Sequence, residues 1–116
     1  MCIRDSIHGA RVITFNAGEV SADSLRTLAQ SVRQRLEDTS AVISIGGVAK
    51  DRPLVIVATT QQARDGGLKA GELVKVAART MGGGGGGRPD LAQGGGKDAG
   101  KLAEALQAIE REIKNS

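Results

Sequence analysis

A small α/β domain, with a two-layer mixed β-sheet and packed helices, is the fold class this sequence predicts. Three observations lead there. Short runs rich in β-branched residues (ARVITF, AVISIGG, PLVIVATT) have the length and composition of strands. Longer stretches between and after them repeat their apolar residues at helical spacing. The chain has 116 residues, of which 40% are hydrophobic and only 1% aromatic, so one thin core of Val, Ile, Leu and Ala is what it can build. The expected order is β-α-β-β-α-β-α.

The elements follow in turn. Ala10–Phe15 reads as a strand, and NAGEV as the turn that ends it. In SADSLRTLAQSVRQRLEDT, Leu25, Leu28, Ala29, Val32 and Leu36 fall on one helical face, with Ser21 or Asp23 available as the cap. Arg26, Arg33, Arg35 and Glu37 fall on the other face, which is expected to be solvated. Ala41–Gly47 is a second strand, VAKDR a turn, and Pro53–Thr60 a third strand whose unbroken apolar run fits cover on both faces. The short connection makes these two an antiparallel hairpin. QQARDGG is expected to be a loop. Ala70, Leu73, Val74, Ala77 and Met81 mark a second helix. DLAQGG has the character of a short strand whose glycines admit another backbone. A final helix carries Ala99, Leu102, Leu106, Ile109 and Ile113, with Asp98 as its cap.

The first six residues are read differently. MCIRDS back-translates as the end of a transposon-type sequencing adapter, so residues 1–6 are set aside and residues 7–116 are expected to be the domain, a piece of something longer. The segment has no apolar stretch of the signal-peptide kind, and no run approaches the roughly 20 residues of a membrane helix. Cys2 is the one cysteine, which rules out an intrachain disulfide and favours a reducing compartment.

The residue inventory argues against an active site. His8 is the one histidine, beside the suspected adapter segment. No Cys/His spacing suits a metal, and no nucleophile–histidine pair presents itself. The close carboxylate pairs, Glu37 with Asp38 and Glu110 with Glu112, fit solvated helix ends. Net charge is +3, and the excess sits around the glycines: Arg64, Lys69, Lys75, Arg79, Arg88, Lys97 and Lys101 face Asp65, Glu72, Asp90 and Asp98. A local basic excess beside exposed backbone suits a polyanion.

The glycines themselves form two runs, Gly82 to Gly87 and Gly94 to Gly96, separated by RPDLAQ. The spacer is too varied for a flexible linker. A phosphate-binding P-loop is not matched, because Asp98 follows Lys97 where Ser or Thr would hold magnesium. Two readings stay open. One is a nest of backbone N–H groups, flanked by Arg88 and Lys97, that seats a phosphate. The other is tight backbone packing at a sheet edge. Single-stranded nucleic acid is a poor fit, since Phe15 is the one aromatic on which a base could stack. Folded RNA read by shape is not excluded.

The string Arg79–Asp98, RTMGGGGGGRPDLAQGGGKD, resembles the glycine-rich signature of the C-terminal, DHH-associated domain of alanyl-tRNA synthetase. The likeness runs from about Ile7 to Ile113 and includes the flanking AGELVKVAA and KLAEAL. DHH phosphoesterases carry a related domain, typically with a histidine after the glycines; here Arg88-Pro89-Asp90 stands instead, which favours the synthetase branch. The six-glycine run is longer than the family's usual one. The resemblance implies a module that binds the elbow of tRNA and supports aminoacylation and editing. It implies that Gly84, Gly85, Gly86, Gly87, Arg88, Gln93, Gly94, Gly95, Gly96 and Lys97 meet the RNA. It also implies that catalysis, with its ATP, magnesium and zinc, and the dimer-forming helices lie upstream. For this chain the expectations are therefore tRNA as partner, no catalytic residue, no metal or cofactor of its own, no membrane, a monomeric state and a cytoplasmic location. The alternative is the substrate-binding domain of a DHH phosphoesterase acting on short nucleotides.

Overall fold

Two central strands organise the molecule because their sequences are apolar on both faces. β3 (Ala41–Ala49) and β4 (Arg52–Thr59) pair antiparallel, from Val42 opposite Thr59 to Ala49 opposite Arg52, as their short connection predicts. Val42, Val55 and Val57 face one side, while Ile43, Ile45, Ile56 and Ala58 face the other; all seven are essentially inaccessible. A strand buried on both sides needs a cover on each. The computed structural model describes residues 2–7, 10–19, 21–36, 39–49, 52–88 and 90–114. His8, the Glu37–Asp38 pair, Lys50 and Asp51 of the predicted turn, and Pro89 lie outside the described residues.

The sheet has six strands in the order β1-β2-β3-β4-β6-β5. β2 (Ala10–Glu19) runs parallel to β3, and every other pair is antiparallel, so the sheet is mixed. The parallel pair is joined by α1 (Ala22–Arg35), as a parallel crossover requires. Ser21, not Asp23, is the cap: its hydroxyl accepts from the Ser24 N–H at 3.2 Å. The predicted turn at NAGEV is instead a break within β2. Gly18 takes φ of 75°, its N–H donates to Asn16 Oδ1 at 3.0 Å, and the register to β3 shifts between Asn16 and Glu19. The turn chemistry was present, but pairing with β3 carries the strand through it. β1 (Cys2–Ile7) pairs with β2, so residues set aside as foreign supply an edge strand. Backbone pairing asks little of side chains and is compatible with either origin of that segment.

Helices divide between the two faces, giving a helix layer on each. α1 lies on one side, burying Leu25 and Ala29 against Ile13, Ile43, Ile45, Ile56 and Ala58. On the other lie α2 (Gln61–Asp65), α3 (Ala70–Thr80) and α4 (Leu102–Lys114). α2 replaces the loop expected at QQARDGG. Five residues are too few to show a helical period in sequence, and tertiary contacts carry it: Ala63 is buried, and Arg64 Nη1 donates to the Thr59 carbonyl at 2.7 Å. A one-turn 3₁₀ segment, Ala99–Lys101, precedes α4, and Asp98 Oδ1 accepts from the Gly100 N–H at 3.0 Å, which places the expected cap one turn early.

The glycine segment resolves into a hairpin at one edge of the sheet. Gly82 ends α3 with φ of 76°; its N–H bonds the Arg79 carbonyl, and the Gly83 N–H bonds the Ala78 carbonyl at 2.8 Å, a Schellman closure. Then β5 (Gly84–Gly87) pairs antiparallel with β6 (Leu91–Gly95), and β6 pairs with β4. β6 was expected from DLAQGG. β5, an all-glycine strand, had no periodicity to announce it.

Candidate nucleic-acid interface

Period-two alternation gives this hairpin two unlike faces. Ala92 and Gly94 lie opposite Val57 and Val55, on the α3 side. A Cβ added at Gly94 would stand 2.9 Å from Val74 Cγ2 of α3. Others nearby fail more severely: one at Gly83 would lie 2.1 Å from the Gly95 carbonyl, one at Gly85 2.5 Å from Gly94 Cα, and one at Gly96 2.3 Å from Met81 Cβ. These glycines are required by close packing of backbone and helix, the second of the two readings open from sequence.

The other face is different. Leu91, Gln93 and Gly95 lie opposite Ala58, Ile56 and Leu54, on the α1 side, and Gln93 and Gly95 pair in turn with Gly86 and Gly84. A Cβ at Gly84 or at Gly86 would meet nothing within 4 Å. Among the described residues no helix lies over this part of the sheet; α1 flanks it. Arg26, Gln30 and Arg33 of α1 face Gly86, Arg88, Asp90 and Gln93 across a cleft of about 610 Å³. A second cleft, about 430 Å³, lies at the far end of the hairpin, between Arg52, Pro53, Leu54, Gly95, Gly96 and Lys97.

Three contacts tie α1 to the hairpin. Arg26 Nη2 donates to Gln93 Oε1 at 2.7 Å. Arg33 Nη1 donates to the Asp90 carbonyl at 3.2 Å and pairs with Asp90 Oδ2 at 3.4 Å. Arg26 also sits 3.7 Å from Asp23 Oδ1. Arg26 and Arg33 were expected on a solvated face. Arg26 is exposed, as expected, though it reaches Gln93; the Arg33 side chain keeps only 19% of its exposure. Their arginine character and their spacing of seven residues on one helix were visible in sequence; the hairpin they point toward was not.

The predicted site residues thus separate. Gly84, Gly86 and Gln93 form one bare floor, with Arg88 at its turn end; at its other end lie Lys97 and Gly95, where an added Cβ would stand 3.2 Å from the Pro53 carbonyl oxygen. Gly85, Gly87, Gly94 and Gly96 are packed against backbone or α3. The glycines form extended strand, whose successive N–H groups point to opposite sides, so they do not converge as a nest would. Arg88 and Lys97 fall in separate clefts, roughly 20 Å of strand apart, too far to share one phosphate. Neither has an ion-pair partner among the described residues. Both are exposed. Among the described residues, no three of His, Cys, Asp and Glu cluster as metal ligands, and no helix is long and apolar enough to cross a membrane.

What the geometry defines is a small mixed α/β domain with an exposed glycine hairpin face rimmed by cations. The chain belongs to the DHHA1 domain family, whose model matches residues 9–115. It is 61% identical over 103 residues to an alanine–tRNA ligase of Kineococcus radiotolerans, covering 88% of this chain and 12% of that protein. It is 53% identical over 112 residues to the alanine–tRNA ligase of Thermobifida fusca, covering 94% and 13%. The chain therefore spans about an eighth of the length of the curated relatives it matches. Among solved structures, the C-Ala domain of Aquifex aeolicus alanyl-tRNA synthetase superposes with a TM-score of 0.86 at 29% identity, covering 98% of this chain and 99% of that one. A DHH-domain member of the s1p family of ribosomal proteins superposes at 0.72 over 97% of this chain and 28% of that one; at 18% identity it shows the fold alone.

Proposed function

We propose that this chain is the tRNA-binding C-terminal module of an alanine–tRNA ligase, contacting the tRNA elbow and supporting aminoacylation and editing by upstream domains. The observation that carries this reading is the bare hairpin face. Gly84 and Gly86 have open space where a side chain would stand, so nothing in the fold itself requires glycine there. Glycine at such positions lets a ligand's backbone or sugar edge come close. Arg88 and Lys97 at its two ends, without an ion-pair partner among the described residues, suit phosphates of an extended polyanion. The named relatives, all alanine–tRNA ligases, support the choice of RNA.

A dinucleotide-binding role, as in a DHH phosphoesterase, is the competing reading, and Arg88-Pro89-Asp90 after the glycines speaks against it. Titration of the 116-residue chain with tRNA and with a dinucleotide separates the two. Saturable, salt-dependent binding of tRNA alone is expected; tight dinucleotide binding without tRNA binding overturns the proposal. The chain by itself is a non-catalytic, monomeric, cytoplasmic module. Incubation with alanine, ATP and tRNA yields no charged tRNA, and sedimentation at micromolar concentration gives the mass of one chain; turnover above a protein-free control, or a tight dimer, contradicts these.

A further inference from the structure

Gln93 stands in the middle of the bare floor, and one hydrogen bond decides what it can offer a ligand. A guanidinium donates and never accepts. The side-chain atom that Arg26 Nη2 meets at 2.7 Å is therefore the amide oxygen, which fixes the orientation of a group whose oxygen and nitrogen are nearly equivalent in shape. Arg26 is steadied from its other side by Asp23 at 3.7 Å. The Gln93 Nε2 group, with its two N–H donors, has no partner among the described residues. It borders the cleft beside Gly86, its partner across the hairpin, which has no side chain to cover it.

We infer that Gln93 is a donor-only reader of a neutral nucleotide oxygen, a base carbonyl or a ribose hydroxyl, and that Arg26 is the positioning residue that holds it so. This rests on the RNA-binding reading above. The oxygen is neutral because stronger partners for phosphate stand nearby. Charge-assisted bonds are about twice as strong as neutral ones. Phosphates therefore go to Arg88 and Lys97, which carry no ion pair among the described residues. The Arg26 charge is already shared with Asp23, and its donor is committed to Gln93.

The test is tRNA affinity of the 116-residue chain across a salt series, with melting curves on every variant. Gln93→Met keeps length and removes both donors; affinity falls about tenfold with the salt slope unchanged. Gln93→Glu accepts from Arg26 at least as well, so it melts no lower than wild type yet binds at least as poorly as Gln93→Met. Arg26→Met loses several-fold, also with unchanged slope, and Arg26→Lys, which still donates to Oε1, recovers most of that. The double variant Arg26→Met, Gln93→Met binds no worse than Gln93→Met alone, because Arg26 acts through Gln93. Singly 2′-deoxy-substituted tRNAs distinguish the oxygens. If a ribose is read, one substitution erases the advantage of wild type over Gln93→Met; if a base carbonyl is read, none does. Wild-type affinity in Gln93→Met, additive losses in the double variant, or a slope reduced by about one in Arg26→Met overturns the inference alone. Absence of saturable tRNA binding by wild type overturns the RNA-binding reading itself.

Discussion

The two faces of the β5–β6 hairpin contain the same residue type for opposite reasons. On the α3 side and at the base of the hairpin, Gly83, Gly85, Gly94 and Gly96 are glycine because an added Cβ would collide with backbone or with α3 within 3 Å. On the α1 side, Gly84 and Gly86 have nothing to collide with. A run of identical residues therefore hides a division of labour. Half of it lets a helix and two strands approach each other, and half leaves a floor on which something outside the chain can rest. The fold explains a glycine where the geometry shows a clash, as at Gly83, or a positive φ, as at Gly82; Gly84 and Gly86 show neither.

Four experiments press on that contrast, in descending order of expected effect. Gly83→Ala and Gly96→Ala push a methyl into backbone or into Met81, and each is expected to cost about 3 kcal/mol, read as a lowered urea midpoint. A midpoint like wild type would mean that the packed face is not packed. Gly86→Val, on the open face, is expected to change stability by less than about 0.5 kcal/mol while weakening tRNA binding about tenfold with no change in salt slope. If it folds and binds like wild type, the bare floor is not a contact surface. Arg88→Ala and Lys97→Ala test the two ends of that floor. Each is expected to lower the slope of log affinity against log salt by about one, and because they occupy separate clefts their effects add. A slope that ignores either change removes that cation from the interface. The smallest effect belongs to Asp90→Asn. Its partly exposed pair with Arg33 is worth below about 1 kcal/mol, and removing the carboxylate leaves Arg33 more available to an anion, so tRNA binds slightly tighter. Weaker binding from a folded variant would mean that Asp90 itself touches the RNA.

Much of this protein was determined by its sequence taken as a line. The α1 face of Leu25, Ala29 and Val32 and the α3 face of Leu73, Val74 and Ala77 follow from periodicity, and the burial of Val55–Ala58 on both sides from an unbroken apolar run; each is where the structure puts it. So does the β3–β4 hairpin, because a short connection leaves few alternatives. The glycine signature was legible too, and it pointed to the family. What the line could not carry is what has no period or too little length: the all-glycine β5, the five-residue α2, and the continuation of β2 past Asn16, where pairing with β3 outweighs a local turn. Nor could it carry the meeting of Arg26 and Arg33 with Gln93 and Asp90, residues 57 to 67 positions apart. That meeting arises because β6 pairs with β4, over which α1 already lies, and sheet order is set by burial and backbone pairing summed over the whole chain rather than by any one segment. The tertiary structure alone decided which glycines face inward and which are left open.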